Sequence, residues 1–255
     1  MSKAPAADYA LEIIEYIARK NTGVGIADIS NALGINKNAV SRILESLTEH
    51  EWCYMCDTER KKYRLTRRPF SILSESLSEN MLVSAAMPCL SELHEKFGDA
   101  VYLGVKNGGN VLYLIHLDSS KEVRVNGRVG GEYPLGCSAP GKALLTFGEE
   151  NDIDEYFRTG VERRTKNTVT SCETFKEQAE EIRKCGFALD LEEFAGGIIC
   201  AASPVFDSSG KAVAAVGIST LTIYDDKQTL VKEKAPAVAE TAKRISAVLG
   251  FCTED

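Results

Sequence analysis

The apolar period of this chain changes near Ala100, so it must build helical structure first and a sheet afterwards. Before that point, residues 8–19 (DYALEIIEYIAR) place Leu11, Ile14, Ile17 and Ala18 on one helical face, with Asp8 as the expected cap. The stretch NTGVG breaks this helix. IADISNAL forms a second, which Gly34 ends in a left-handed turn, and Asn36 caps a third, KNAVSRILESLTEH. WCYMCDTERKKYRL then alternates apolar and polar residues about a charged turn, the pattern of a β-hairpin. Helix, helix, turn, helix and hairpin in that order predict a winged helix-turn-helix over residues 1–68.

The next stretch (PFSILSESLSENMLVSAAMPCLSELHEKF) has helical periodicity interrupted at Pro88. It reads as a linker helix, residues 69–82, running into a second domain, residues 83–255. Beyond Ala100 the period becomes two: AVYLGV, NVLYLIHL and EVRVNGRV are expected strands separated by turns. PGKALLTF is a short helix. Thr170 and Glu173 stand at capping-box spacing before a longer helix that ends at Gly186. GIICAASPVF and AVAAVGIST are two further strands joined by a DSSGK turn, and residues 227–249 form a last helix. The expected class is α+β, with one central antiparallel sheet in the second domain.

Charge divides along the same boundary. Residues 1–68 carry 11 Lys+Arg against 9 Asp+Glu, and the remainder 19 against 28, within a total of −7. A slightly basic head on an acidic body suits two separate tasks. No apolar run approaches the roughly twenty residues that span a bilayer, and the first residues lack the apolar core of an export signal. The expectation is a cytoplasmic protein with no membrane partner.

Eight cysteines are scattered among apolar neighbours, as buried thiols of a reducing compartment would be. Cys53 and Cys56 form a CxxC with His50 upstream, but no second pair follows at metal-finger spacing, so neither metal nor cofactor is expected. Two functional readings arise from these residues. One is a thiol- or metal-responsive DNA-binding switch. The other is an enzyme with a Cys200 or Cys137 nucleophile; its base would have to be His50, His94 or His116, none of which belongs to a catalytic motif. The chain therefore reads as a non-enzyme.

In the third helix Val40, Ile43, Leu44 and Leu47 share one stripe, while Asn38, Ser41, Arg42 and Glu45 share the opposite one. A polar stripe entering from a tight turn fits the major groove of double-stranded DNA. Lys37 and Ser41 are expected phosphate partners, and Asn38 and Arg42 the base-reading pair. Arg60, Lys61 and Lys62 at the hairpin tip would add backbone or minor-groove contacts.

IADISNALGINKNAVSRILESLTEHEWCY, continued by KKYRL, resembles the N-terminal domain of the IclR family of bacterial transcriptional regulators. YPLGCSAPGKALL (133–145), GFALDLEEFAGGIICAASPVFD (186–207) and VAAVGIST (213–220) are similar, in order, to that family's effector-binding domain. The resemblance spans about Tyr9 to Leu249. It implies a GAF-like sheet, operator binding as a homodimer that pairs into a homotetramer, and a small-molecule effector, a small organic acid or related metabolite. Carried over by position, it implies effector contacts at Ala139 and Pro140, at Asp190, Cys200 and Ser219, and at Val125 and Tyr133 as an apolar lid. Glu192 and Glu193 are then expected to face solvent. The chain departs from the family pattern twice: Pro140 lacks an N–H, and Gly217 stands where many members have serine, which is expected to enlarge the site.

Overall fold

Pro5 rather than Asp8 opens the first helix. α1 (Pro5–Ala18) carries the proline in its first turn, where a missing N–H costs nothing, and Asp8 falls inside that turn. The computed structural model describes residues 4–20, 22–69 and 81–251, and the chain divides into two units, Met1–Glu79 and Asn80–Asp255. The apolar face of α1 is rotated from the expected one. Ile13 and Ile17 are buried with Ile29, Val40 and Leu44 in one cluster, whereas Leu11 is 61% exposed.

In the first unit α2 (Ile26–Leu33) and α3 (Lys37–Glu49) flank Gly34, whose φ of 70° is the left-handed conformation that glycine adopts without strain. The Asn36 side chain accepts hydrogen bonds from the N–H groups of Asn38 (2.8 Å) and Ala39 (3.2 Å), which fixes where α3 begins. β1 (Val24–Gly25), β2 (Cys53–Asp57) and β3 (Lys62–Leu65) form an antiparallel sheet in the order β1-β3-β2. The result is a winged helix-turn-helix. Asn36→Ala is expected to destabilise this unit by about 1 kcal/mol, read from urea unfolding followed by Trp52, the chain's single tryptophan. An unchanged midpoint would mean that the cap contributes nothing.

Residues 70–80, most of the expected linker helix, lie outside the described residues. The helix after them, α4 (Met81–Phe97), continues through Pro88 instead of breaking there. Pro88 sits on the exposed face, while Ala86, Cys89, Leu90 and Leu93 on the other face are buried. Burial of that face offsets the hydrogen bond the proline cannot make.

The second unit is built on a six-stranded antiparallel sheet. Its strands are β4 (Ala100–Asn107), β5 (Asn110–Leu117), β6 (Glu132–Pro134), β7 (Ala188–Leu191), β8 (Ile198–Phe206) and β9 (Ala212–Leu221), in the order β6-β5-β4-β9-β8-β7. Strand alternation sends Val101, Leu103, Ile199, Ala201, Val216 and Ile218 to one face, where they pack with α4 and the last helix, α9 (Ala235–Val248). Tyr102, Ala188 and Ala215 point the other way, toward α5 (Ala139–Thr146), α6 (Asp152–Arg158) and α7 (Cys172–Cys185).

Three further expectations are corrected, and one strand is added. EVRVNGRV is not a strand: β6 takes the place beside β5, and Val123 and Val129, 54% and 53% exposed, have no sheet face to join. Ser171, not Thr170, caps α7, accepting from the Thr174 N–H at 3.3 Å; the Thr170 hydroxyl is engaged by Arg163 at 2.9 Å. β7 is a strand that its own sequence did not disclose. The last helix is not one unbroken α-helix, because α8 (Lys227–Thr229) passes through a π-turn, Leu230–Lys234, into α9. That turn aims Lys234 into the interior, where it pairs with Asp99 and, at 2.5 Å, with Asp225.

Candidate functional site

Cross-strand register assembles the site. Asp190 pairs with Cys200, Cys200 with Ser219, and Ser219 with Ala100, so three polar side chains from three strands form one row on one face. The next row runs Ala188, Ala202, Gly217, Tyr102, His116. Its small residues leave room for the Tyr102 ring to lie across the sheet. A Cβ built on Gly217 would stand 2.2 Å from that ring. The expectation that Gly217 enlarges the site is therefore corrected: its space is filled by Tyr102. Gly217→Ser is expected to cost about 1–3 kcal/mol by overpacking, and a second change, Tyr102→Leu, should restore part of it in thermal unfolding. A serine variant as stable as the parent would contradict this packing.

Val125, Tyr133, Ala139, Pro140, Asp190, Cys200 and Ser219, all seven expected effector residues, line a single cavity. Its free space is ≈ 30 Å³, inside an envelope of ≈ 400 Å³ that includes the mouth. In this conformation there is room for about two waters. α5 contributes its N-terminus: Ser138 caps it, accepting from the Gly141 N–H at 3.3 Å and donating to the Pro134 carbonyl at 2.7 Å.

Sequence reasoning missed the aromatic wall of this cavity. Tyr102, Tyr113 and Tyr133 stack with ring centroids 4.5 and 4.3 Å apart, and Phe194 meets Tyr133 edge-on at 5.6 Å. Arg164 lies 4.5 Å over the Phe194 ring. The Tyr102 hydroxyl is close enough to Ser219 to feel it, yet it is buried without a partner in hydrogen-bonding geometry. His116 also lines the cavity, with Nε2 3.1 Å from Asp118 and Nδ1 buried without a partner. The signal was the period-two placement of Tyr102 and Tyr113, legible only once the register of β4 and β5 is known.

Asp190 is 1% exposed, and its Oδ1 accepts from the N–H groups of Glu193 (2.7 Å) and Phe194 (3.3 Å). Burial outweighs those bonds and pushes its pKa up to about 7. Glu193 does not face solvent as expected: it is 5% exposed and pairs with Lys142 of α5 at 2.6 Å. Glu192 is half-buried with φ 60°, and its Oε1 accepts from the Gly197 N–H at 2.7 Å. The cause is the tight turn after β7, which folds 192 and 193 back against the sheet.

Cys200 Sγ lies 3.0 Å from Ser219 Oγ, and burial raises its pKa strongly. Cys137 is pushed up to about 12 by burial. Thiols held neutral in this way lack the thiolate that a cysteine nucleophile needs. Cys53 is buried, whereas Cys56 is exposed at an irregularity where the β2–β3 pairing skips from Met55 to Asp57. Among the described residues no group of three His, Cys, Asp or Glu is placed to hold a metal ion.

In the first unit Lys37, Asn38 and Arg42 are exposed on α3. Ser41 is half-buried and donates to Glu45 at 3.1 Å. Arg60 and Lys61 are exposed at the wing turn, where Asp57 accepts from the Arg60 N–H at 2.9 Å. Lys62 belongs to β3 rather than to the tip, paired with Gly25 and Asp57.

A winged helix-turn-helix joined to a domain with a closed polar–aromatic cavity defines a two-part, ligand-sensing DNA-binding protein. Residues 6–54 match the IclR helix-turn-helix domain, and residues 74–247 match the bacterial transcriptional regulator IclR C-terminal domain. The chain belongs to the IclR family of bacterial transcriptional regulators. It is 29% identical over 249 residues to the DNA-binding transcriptional repressor YiaJ of Escherichia coli, covering 96% of this chain and 88% of that one. The crystal structure of the Thermotoga maritima IclR superposes with a TM-score of 0.82 at 26% identity, covering 97% and 99% of the two chains. An IclR homologue from Microbacterium hydrocarbonoxydans, complexed with 4-hydroxybenzoate, has the same fold, with a TM-score of 0.83 at 18% identity over 96% and 98%. No helix among the described residues is long and apolar enough to cross a membrane.

Proposed function

We propose that this regulator grips operator DNA in the cytoplasm through α3 and its wing, and that a small organic acid or related metabolite in the second unit changes that grip. One observation carries the reading: the row Asp190–Cys200–Ser219, the α5 N-terminus at Ala139 and Pro140, and the Val125 and Tyr133 side chains line the same cavity. The boundaries proposed are residues 1–68 for DNA binding, 69–82 for the connecting helix and 83–255 for effector binding.

On α3, Asn38 and Arg42 read base edges while Lys37 and Ser41 hold phosphates; Arg60, Lys61 and Lys62 of the wing add backbone contacts. The protein acts as a homodimer that pairs into a homotetramer. Leu11 and Tyr9, apolar and exposed on α1, support self-association of the first unit.

The cavity suits an acid with an apolar body. Protonated Asp190 donates to a carboxylate or accepts from a hydroxyl, the unpartnered Tyr102 hydroxyl provides a second polar contact, and the tyrosine stack covers the body. The 4-hydroxybenzoate held by the Microbacterium homologue has this chemistry. Free space for about two waters means that such a ligand enters only as Val125, Tyr133 or Phe194 moves aside. A ligand with different affinity for the open and closed forms then shifts the population that binds DNA.

The test is a gel-shift or anisotropy titration with operator and random duplexes. Arg42→Ala should weaken operator binding by about 1–3 kcal/mol and relax discrimination at one base pair. If it binds both duplexes like the parent, α3 is not the reading helix. For the effector, a thermal-shift screen of small organic acids should give hits that Asp190→Ala abolishes; hits insensitive to that change would place the ligand elsewhere.

A further inference from the structure

We infer that the second unit carries a second small-molecule site, a cleft at the open edge of the sheet beside β7, suited to a neutral alcohol or phenol with an apolar body. The cleft has a free volume of ≈ 300 Å³, the lower end of the range for small-molecule sites, about 300–1,000 Å³. Its walls are apolar: Ile182 of α7, Phe187, and Leu189 and Leu191 of β7. Because side chains alternate along β7, Leu189 and Leu191 face away from Asp190, whereas Lys142 of α5 and Ile182 of α7 come from its side, so the cleft wraps the free edge of the strand beyond the effector cavity.

Polar groups lie against this apolar wall. Glu193, 5% exposed, gives Oε1 to Lys142 at 2.6 Å, but its Oε2 is buried with no hydrogen-bond partner. The Val169 N–H is near enough to favour the carboxylate without closing a bond on that oxygen. Gln178 Oε1, also lining the cleft, is buried and unpartnered. A buried acceptor left unmade is costly, on the order of 1–3 kcal/mol and more when charged. Oε2 is closed off from the cleft in this conformation, so a ligand hydroxyl that displaces the covering side chains and donates to it removes that penalty. The charges select its class: Lys142 neutralises Glu193, and at the rim Glu181 is already paired with Lys184 at 2.7 Å while Lys227 is exposed to solvent. A cation would meet Lys142 and an anion would meet Glu193, whereas a neutral hydroxyl satisfies the acceptor and leaves its body to the leucines and Phe187.

The two sites share their supports. The N–H groups of Glu193 and Phe194 hold Asp190, so the turn after β7 sends Asp190 and Phe194 to the effector cavity and Glu193 to the cleft. α5 gives Ala139 and Pro140 to the first and Lys142 to the second. These shared supports give the two sites a route to couple, and any change that one ligand makes to affinity at the other site is returned by the same factor.

Isothermal titration of the full chain with phenol, and separately with benzyl alcohol, tests this. Saturable binding is expected, weakened at least tenfold by Leu189→Trp, which fills the cleft, and by Glu193→Gln, which removes the charged acceptor. Ser219→Ala, in the effector cavity, should leave it within twofold. If Glu193→Gln fails to fold, Leu189→Trp carries the test. No saturable binding overturns the proposal. So does binding that Ser219→Ala removes and Leu189→Trp does not, because that result assigns both compounds to the effector cavity. Failure of organic acids to bind the effector cavity would leave the phenol result, and this inference, standing.

Discussion

Raising the pH from about 5 to about 8 should destabilise the second unit by about 3 kcal/mol through Asp190 alone, and Asp190→Asn should abolish that contribution. The sign follows from proton counting. Burial raises the folded-state pKa from 3.8 to about 7. Between those values the unfolded chain has released its proton while the folded chain still holds one, so each step up in pH favours unfolding. Below the lower value both states are protonated and the effect vanishes; above the upper value it is complete and constant. Urea unfolding followed by far-UV circular dichroism at several pH values measures this, and the difference between parent and variant isolates Asp190 from other groups. Equal slopes in the two proteins would mean that Asp190 is not desolvated as its burial requires. The same proton bears on the effector. A carboxylate ligand is received by neutral Asp190, so its affinity should fall above pH 7, approaching about tenfold per unit.

Lys142→Ala should destabilise the second unit by about 3–5 kcal/mol, because it strands the Glu193 carboxylate in the interior. Lys142 and Glu193 are 3% and 5% exposed and 2.6 Å apart. Burial already raises the pKa of Glu193 despite the neighbouring ammonium. Without Lys142 the carboxyl can escape by taking up a proton, so the cost should be smaller near pH 5 than near pH 8. Replacing both residues with apolar ones, Lys142→Met with Glu193→Leu, should recover most of the loss, since a buried pair contributes little beyond satisfying itself. Unfolding of the first unit, reported by Trp52, serves as an internal control. A Lys142→Ala protein within about 1 kcal/mol of the parent at pH 8 would show that Glu193 is not dependent on this partner.

Local signals were read where the local chain decides the outcome. Gly34 at φ 70° and Asn36 bonded to the next N–H groups are where the sequence puts them, because a left-handed turn and a helix cap depend on a few neighbouring residues. Reading failed where neighbours distant in sequence compete. EVRVNGRV alternates like a strand but has lost its place beside β5 to residues 132–134. Leu11 lies on a good helical face, yet Ile13 and Ile17 meet α2 and α3. Pro88 marks a break only if nothing else holds the helix, and α4 is held by its buried face.

The site divides in the same way. Val125, Tyr133, Ala139, Pro140, Asp190, Cys200 and Ser219 follow from the family resemblance, and a single cavity gathers all seven. The tyrosine stack, the filling of Gly217's space by Tyr102 and the inward turn of Glu193 were not legible, since each depends on which residues face one another across strands. The sequence alone determined the helical head followed by a sheet-bearing body, the polar stripe on α3 and the presence of two domains, because periodicity, caps and charge act over a few residues. Tertiary structure alone decided the register, and through it the cavity's size, its aromatic wall and the buried Lys142–Glu193 pair. Those follow from contacts between residues about fifty or more positions apart, such as Lys142 with Glu193 and Tyr102 with Gly217, and no local pattern records such pairings.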